Sequence, residues 1–156
     1  MPGQSSSEKN IGTIESACYN CGVLKSNEQE GESSVDIRAT CLNCMDGRVQ
    51  LPVLHWIKEQ HKVDFVDVIT EAGIDAVLAN QDDIHEILRS IDISVNINRS
   101  TRLFVVGHFD CRGNPVDQKT HHIQIASAVK RLKERWHRHG VSGLWVNHHW
   151  QVEIVA

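Results

Sequence analysis

Hydrophobic positions along the chain follow two patterns, short β-branched runs that indicate strands and longer segments with helical spacing. Strands are predicted at 35–42, 63–70 and 103–107. Helices are predicted at 52–61, 84–95 and 120–137, where apolar residues recur every three or four positions. The last two apolar segments predict a terminal hairpin of 143–146 with 150–155.

Local signals refine these boundaries. Pro52 is expected at the start of the first helix, where its missing N–H costs nothing. Asp82 and Asp83 suit the first turn of the second helix, where the helix dipole favours negative charge. Gly73 gives the chain the backbone freedom to leave the second strand. Strands that alternate with helices predict an α/β fold with a mainly parallel sheet, whose ligands bind outside the carboxyl ends of the strands.

Composition limits the classes of protein that fit this pattern. The chain of 156 residues is long enough for one domain, and its net charge of -4 argues against a nucleic-acid partner. Residues 1–34 are too polar to form a packed face, so we expect a mobile arm before an α/β domain at 35–156. We find no secretory signal and no apolar run long enough to cross a membrane. We therefore expect a cytoplasmic protein with no membrane partner.

Two short strings carry the candidate chemistry: Cys-Met-Asp-Gly-Arg at 44–48 and His-Phe-Asp-Cys at 108–111. Cys44, His108 and Cys111 offer two thiolates and one imidazole, which is one ligand short of a closed tetrahedral zinc site. An open fourth position is typical of catalytic zinc. The five cysteines of the chain, in a reducing compartment, favour metal ligation over a disulfide framework.

The first string also holds a carboxylate and a guanidinium beside the predicted metal. Arg48 can hold Asp46 through a charge-assisted pair, and Asp46 can then orient a metal-bound hydroxide. Cys44 follows the first predicted strand, whereas His108 ends the third. The two strings meet at one edge of the sheet if the first and third strands are neighbours and the second strand lies on the other side of the first.

Taken together, the two strings resemble the site of the β-class carbonic anhydrases. The resemblance implies Cys44, His108 and Cys111 as zinc ligands, Asp46 as the residue that orients the hydroxide, and Arg48 as its partner. It also implies a sheet of order 2-1-3-4 with an antiparallel last strand, helices on both faces, and a homodimer or higher homo-oligomer. The implied activity is the reversible hydration of carbon dioxide to bicarbonate by a zinc-bound hydroxide.

The chain departs from the family pattern after its second metal-binding cysteine, where Arg112 precedes the usual glycine. Arg112 could narrow the pocket or bind bicarbonate. Two alternatives therefore stay open: a hydrolase of carbonyl sulfide or carbon disulfide on the same site, and a non-catalytic zinc protein of the same fold.

A third alternative is a four-cysteine zinc ribbon, a binding module made by the pairs Cys18/Cys21 and Cys41/Cys44. It leaves His108 unexplained, and the acidic net charge disfavours the nucleic acid that such modules bind. The roles of Cys18, Cys21 and Cys41 stay open. The histidine pairs 121–122 and 148–149 are expected to be solvated surface residues.

Overall fold

One five-stranded sheet organises the part of the chain that the structure, a computed structural model, describes, which is residues 36–156. Its elements are β1 (Arg38–Cys44), α1 (Gly47–His61), β2 (Phe65–Glu71), α2 (Ile74–Asn80), α3 (His85–Asn96), β3 (Arg102–His108), α4 (Gln118–Arg135), β4 (Gly140–Val146) and β5 (Val152–Ile154). The strand order is β2-β1-β3-β4-β5, and only β4 and β5 pair antiparallel. The predicted α/β class, the order 2-1-3-4 and the antiparallel last strand are confirmed.

Helices cover both faces of the sheet, as predicted. On one face α2, α3 and α4 bury apolar side chains against β1, β3 and β4, and on the other face α1 packs against the same strands. The central strand β3 is apolar on both sides because both faces are covered, and six of its seven residues are buried. The edge strand β2 has no fully buried residue.

The first helix begins at Gly47 instead of Pro52, which corrects the predicted boundary. The carboxylate of Asp46 accepts a hydrogen bond of 2.9 Å from the backbone N–H of Arg48, so Asp46 is the N-cap. Pro52 therefore lies inside α1. The candidate catalytic carboxylate thus also caps the helix that begins within the string at 44–48.

Two further boundaries differ from the prediction. Helix α2 was not predicted, because its seven residues are too few to show a helical period. Helix α3 begins at His85, so Asp82 and Asp83 precede its first turn instead of lying in it. Asp83 still accepts a 3.4 Å hydrogen bond from the backbone N–H of His85, which keeps a negative charge at the positive end of the helix.

The connection from β2 to α2 crosses closely over the loop that carries Cys111. Gly73 has a φ of 60°, and a Cβ placed on it would lie 2.6 Å from the carbonyl oxygen of Gly113. A Cβ on Gly113 would meet the backbone nitrogen of Gly73 at 2.7 Å. Only residues without side chains allow this approach, which fixes the position of the loop that holds Cys111.

We expect the Gly73→Ala variant to lose about 2–4 kcal/mol of unfolding free energy, since alanine adds both a left-handed backbone cost and a steric clash. Urea unfolding followed by circular dichroism measures this loss. Gly47→Ala is the matched control, because a Cβ on Gly47 has no neighbour within 4 Å. Equal stability of the two variants would contradict the close approach of the two loops.

No helix within residues 36–156 is long and apolar enough to cross a membrane. The predicted N-terminal arm, 1–34, lies outside the described residues, and so do Cys18 and Cys21. The domain predicted at 35–156 contains all the elements given above.

Candidate metal centre

The two predicted strings lie at the same edge of the sheet because their strands are adjacent and parallel. Cys44 is the last residue of β1, and His108 is the last residue of β3. The pairing of β1 with β3 therefore brings both carboxyl ends together. The ligand atoms of Cys44, His108 and Cys111 all lie within 4.8 Å of one another, and all three residues are buried. The structure brings the three residues together, and their role as zinc ligands stays a prediction.

The chemistry of this cluster fits a zinc ion. The Sγ atoms of Cys44 and Cys111 are 3.8 Å apart. Two sulfur ligands at about 2.3 Å from a tetrahedral zinc would be separated by about 3.8 Å. The Nδ1 of His108 lies 2.8 Å from the carbonyl oxygen of Phe109, so Nδ1 carries the proton. The opposite ring atom, Nε2, is buried without a hydrogen-bond partner, and its lone pair is available to a metal.

The ionisation of the two thiols also favours a cation between them. The pKa of Cys44 is lowered to about 4, chiefly by a hydrogen bond from the Cys111 thiol, which outweighs burial; His108 and the backbone N–H groups of Gly73 and Asp46 contribute less to the lowering. The same contact raises the pKa of Cys111, because its proton is held against the Cys44 thiolate. The pair thus keeps one proton between its two sulfurs. A divalent cation in that place would replace this proton and stabilise both thiolates.

The negative charge of the Cys44 thiolate also affects the pKa of His108. Burial alone would lower its pKa, but the contacts of the ring with the Cys44 thiolate and with the carbonyl oxygen of Phe109 outweigh burial, so the pKa is raised. The imidazole therefore lies in an environment with negative potential, which also attracts a cation.

Asp46 and Arg48 form a two-pronged ion pair beside the cluster. The guanidinium Nε lies 3.1 Å and 3.0 Å from the two carboxylate oxygens of Asp46, and Nη2 donates to Oδ2 at 2.7 Å. The side-chain hydrogen bonds from Arg48 lower the pKa of Asp46 to about 2. Asp46 is therefore a carboxylate, and an acceptor only, throughout the neutral range. Its charge also contributes to the potential at His108.

Gln50 was not predicted to support the site, yet it connects α1 to the end of β1. Its side-chain N–H group donates to the carbonyl oxygen of Cys44 at 2.7 Å and to that of Asp46 at 3.0 Å. These bonds fix the turn in which Cys44 and Asp46 lie. The sequence carries a weak signal for this role, since Gln50 lies four residues after Asp46, the N-cap of α1, and residues four apart on a helix are neighbours.

The sequence left the roles of Cys41 and Arg112 open, and neither residue belongs to the cluster of ligand atoms. Cys41 is fully buried in β1, and burial raises the pKa of its thiol to about 12. Among the described residues, Cys44 is grouped with His108 and Cys111 and not with Cys41, and the other two cysteines of the predicted zinc ribbon, Cys18 and Cys21, lie outside the described residues. Arg112 is exposed at a cavity of about 410 Å³, which Cys111, His121 and Trp145 also line.

The histidines at 121 and 122 differ from the prediction, because His121 is buried instead of solvated. Its Nδ1 is hydrogen-bonded to the carboxylate of Asp75, which is buried as well. Asn114 donates to the same carboxylate at 3.1 Å and to Gln124 at 2.7 Å. This buried network holds the chain just after Cys111 against α2 and α4.

The fold is shared with solved structures of β-carbonic anhydrases. One match is to the tetrameric β-carbonic anhydrases of the filamentous ascomycete Sordaria macrospora, with a TM-score of 0.55, 10% identity, and coverage of 78% of this chain and 82% of that chain. Another is to the β-carbonic anhydrase CcaA, with a TM-score of 0.51, 11% identity, and coverage of 78% and 84%. At these identities the likeness concerns the fold, which places the chain in the structural class of the β-carbonic anhydrases.

The family follows from the sequence. Residues 34–156 match the model of the family described as "Putative carbonic anhydrase", and the chain belongs to that family. A search of curated protein sequences gave no match. The resemblance drawn from the two short strings is confirmed at the level of the family, as a divergent member of the β-carbonic anhydrase type.

Proposed function

We propose that the protein is a zinc-dependent carbonic anhydrase, a lyase that interconverts carbon dioxide and bicarbonate. The observation that carries the proposal is the convergence of Cys44, His108 and Cys111 beside the Asp46–Arg48 ion pair. Two sulfurs and one nitrogen leave a tetrahedral zinc with one position for a small molecule. A site that only stabilised the fold would be expected to have a fourth protein ligand.

The residues of the chain have distinct parts in this mechanism. Cys44, His108 and Cys111 would hold the zinc, and zinc, when bound, supplies Lewis-acid activation of water near neutral pH. Asp46 is ionised and can only accept a hydrogen bond, so it orients the attacking O–H group toward carbon dioxide. Arg48 holds both oxygens of Asp46, which keeps that carboxylate in a fixed direction.

We further propose that the protein works in the cytoplasm as a homodimer or a higher homo-oligomer. The three cysteines among residues 36–156 are free thiols, which suits a reducing compartment. Met45 and Leu51, near the turn that carries Cys44, have exposed fractions of 66% and 64%, and an interface between subunits would remove such apolar surface from water. The Sordaria macrospora enzymes that share the fold are tetramers.

The deciding experiment pairs zinc content with stopped-flow hydration of carbon dioxide on the full-length chain. We expect about one zinc per chain and hydration well above the uncatalysed rate. Zinc without hydration, but with hydrolysis of carbonyl sulfide or carbon disulfide, would assign the site to that alternative. Zinc without either activity would make the chain a non-catalytic member of its family.

A further inference from the structure

Asp110 has a backbone conformation and contacts that zinc binding does not require. It lies between His108 and Cys111 and has a φ of 54°, in the left-handed region. Asp and Asn reach this region more easily than other residues with a side chain, but it still costs free energy. Such a conformation persists where the surrounding contacts hold it.

The contacts that Asp110 makes are with Arg48, on the other loop. Nη1 of Arg48 donates to the carboxylate of Asp110 at 3.1 Å, and Nη2 donates to the backbone carbonyl oxygen of Asp110 at 3.1 Å. The same guanidinium binds both oxygens of Asp46 through its Nε and Nη2. One arginine side chain thus bridges the string at 44–48 and the string at 108–111.

The bond to Asp46 cannot by itself position the pair. Asp46 and Arg48 are two residues apart on one turn, so they can move together without breaking their ion pair. Asp110 is 62 residues from Arg48, and its two hydrogen bonds are the ones by which the Arg48 side chain is tied to the loop that carries His108. The Arg48 guanidinium also lies over the ring of Trp150, 5.2 Å from its centroid, which closes the remaining side.

We propose that Asp110 is a positioning residue, which fixes Arg48, and through it Asp46, with respect to the metal-binding cluster. An isolated exposed ion pair contributes little, and Asp110 is 56% exposed. Here a side-chain oxygen and the backbone oxygen of Asp110 both accept from one planar guanidinium, so less side-chain conformational entropy is lost for each hydrogen bond. The catalytic consequence of this role rests on the proposed carbonic anhydrase activity.

The test compares Asp110→Gly with Asp110→Asn in the full-length zinc protein. Glycine keeps the left-handed backbone but removes the carboxylate, and we expect kcat to fall about three- to tenfold with KM little changed. Asparagine also tolerates that backbone and keeps an oxygen for Arg48, so it should restore most of kcat. Asp92→Asn is the control. Asp92 of α3 forms an exposed ion pair with Arg135 of α4 at 2.6 Å, and neither residue belongs to the two strings.

A second readout does not depend on activity. Cobalt(II) replaces zinc, and its visible absorption reports the surroundings of the bound ion. We expect Asp110→Gly to shift these bands in the otherwise native chain and to leave them unchanged in the Arg48→Ala background, because Asp110 acts through Arg48. Unchanged bands in the single variant, or an equal shift in both backgrounds, would overturn the proposal. If the native protein lacks hydration activity but shows this pattern, the proposed function fails and the positioning role stands.

Discussion

His108→Ala is expected to lose its zinc and all measurable hydration of carbon dioxide. The ring provides the only nitrogen of the cluster, and alanine has no donor atom to take the place of its buried, unpartnered Nε2. Loss of a group that merely orients a ligand already weakens metal binding 10- to 100-fold, so we expect at least ~100-fold weaker zinc binding here. Competition with a chromogenic chelator measures the affinity, and stopped-flow assays measure turnover.

Two buried cysteines of β1 provide a matched comparison for the sulfur ligands. Cys44→Ala should lose zinc as His108→Ala does, whereas Cys41→Ala should keep both zinc and turnover. Both changes remove one buried sulfur from the same strand, so a difference between them reflects ligation and not packing. The double variant Cys18→Ser/Cys21→Ser should also retain its metal. If that double variant or Cys41→Ala lost the zinc instead, the four-cysteine ribbon would be the better description.

The strands and the cluster could be predicted from the sequence because both depend on short-range patterns. The apolar run that ends at His108 belongs to a strand buried on both faces, and adjacent parallel strands end at one edge of a sheet. The order of the strands follows once the second strand is placed outside the first. Cys44 and His108 could thus be expected to meet without any coordinates.

Two other features were not predicted: one depends on a choice between two local signals, and the other on a contact between residues far apart in the sequence. The cap that Asp46 gives to α1 competes with the signal of Pro52, and the cap decides where the helix begins. The hydrogen bonds between Arg48 and Asp110 join two parts of the chain that are 62 residues apart. No spacing within either loop predicts that contact.

His121 shows that an available signal can also be misjudged. The buried stripe of α4 contains Ile125 and Val129, and His121 lies four residues before Ile125, on the same face. Polar character favours the surface, but the buried carboxylate of Asp75 gives the ring a partner in the core. The position of His121 on the helix therefore predicts its burial correctly, whereas the prediction from its residue type was wrong.

Arg48→Ala is expected to keep its zinc and to lose turnover by about 100-fold or more, since misplacement of a reacting group by about 1 Å has an effect of that size. In the N-cap bond, Asp46 accepts from the backbone N–H of residue 48, which alanine also has. The alanine variant therefore keeps the start of α1 and the position of Cys44. What it loses is the guanidinium that holds both oxygens of Asp46. The freed carboxylate can turn onto the metal as a fourth ligand and close the site.

Two companion variants show whether charge or direction is responsible. Arg48→Lys keeps the positive charge but cannot bind both oxygens in one plane, so we expect it to recover only part of the turnover. Asp46→Asn keeps the N-cap, yet its neutral amide can donate instead of only accepting, so it should be as inactive as Arg48→Ala while still binding zinc. Zinc content measured beside kcat separates these outcomes from unfolding. Native turnover in Arg48→Ala would show that Asp46 needs no partner, and the ion pair would then have no part in catalysis.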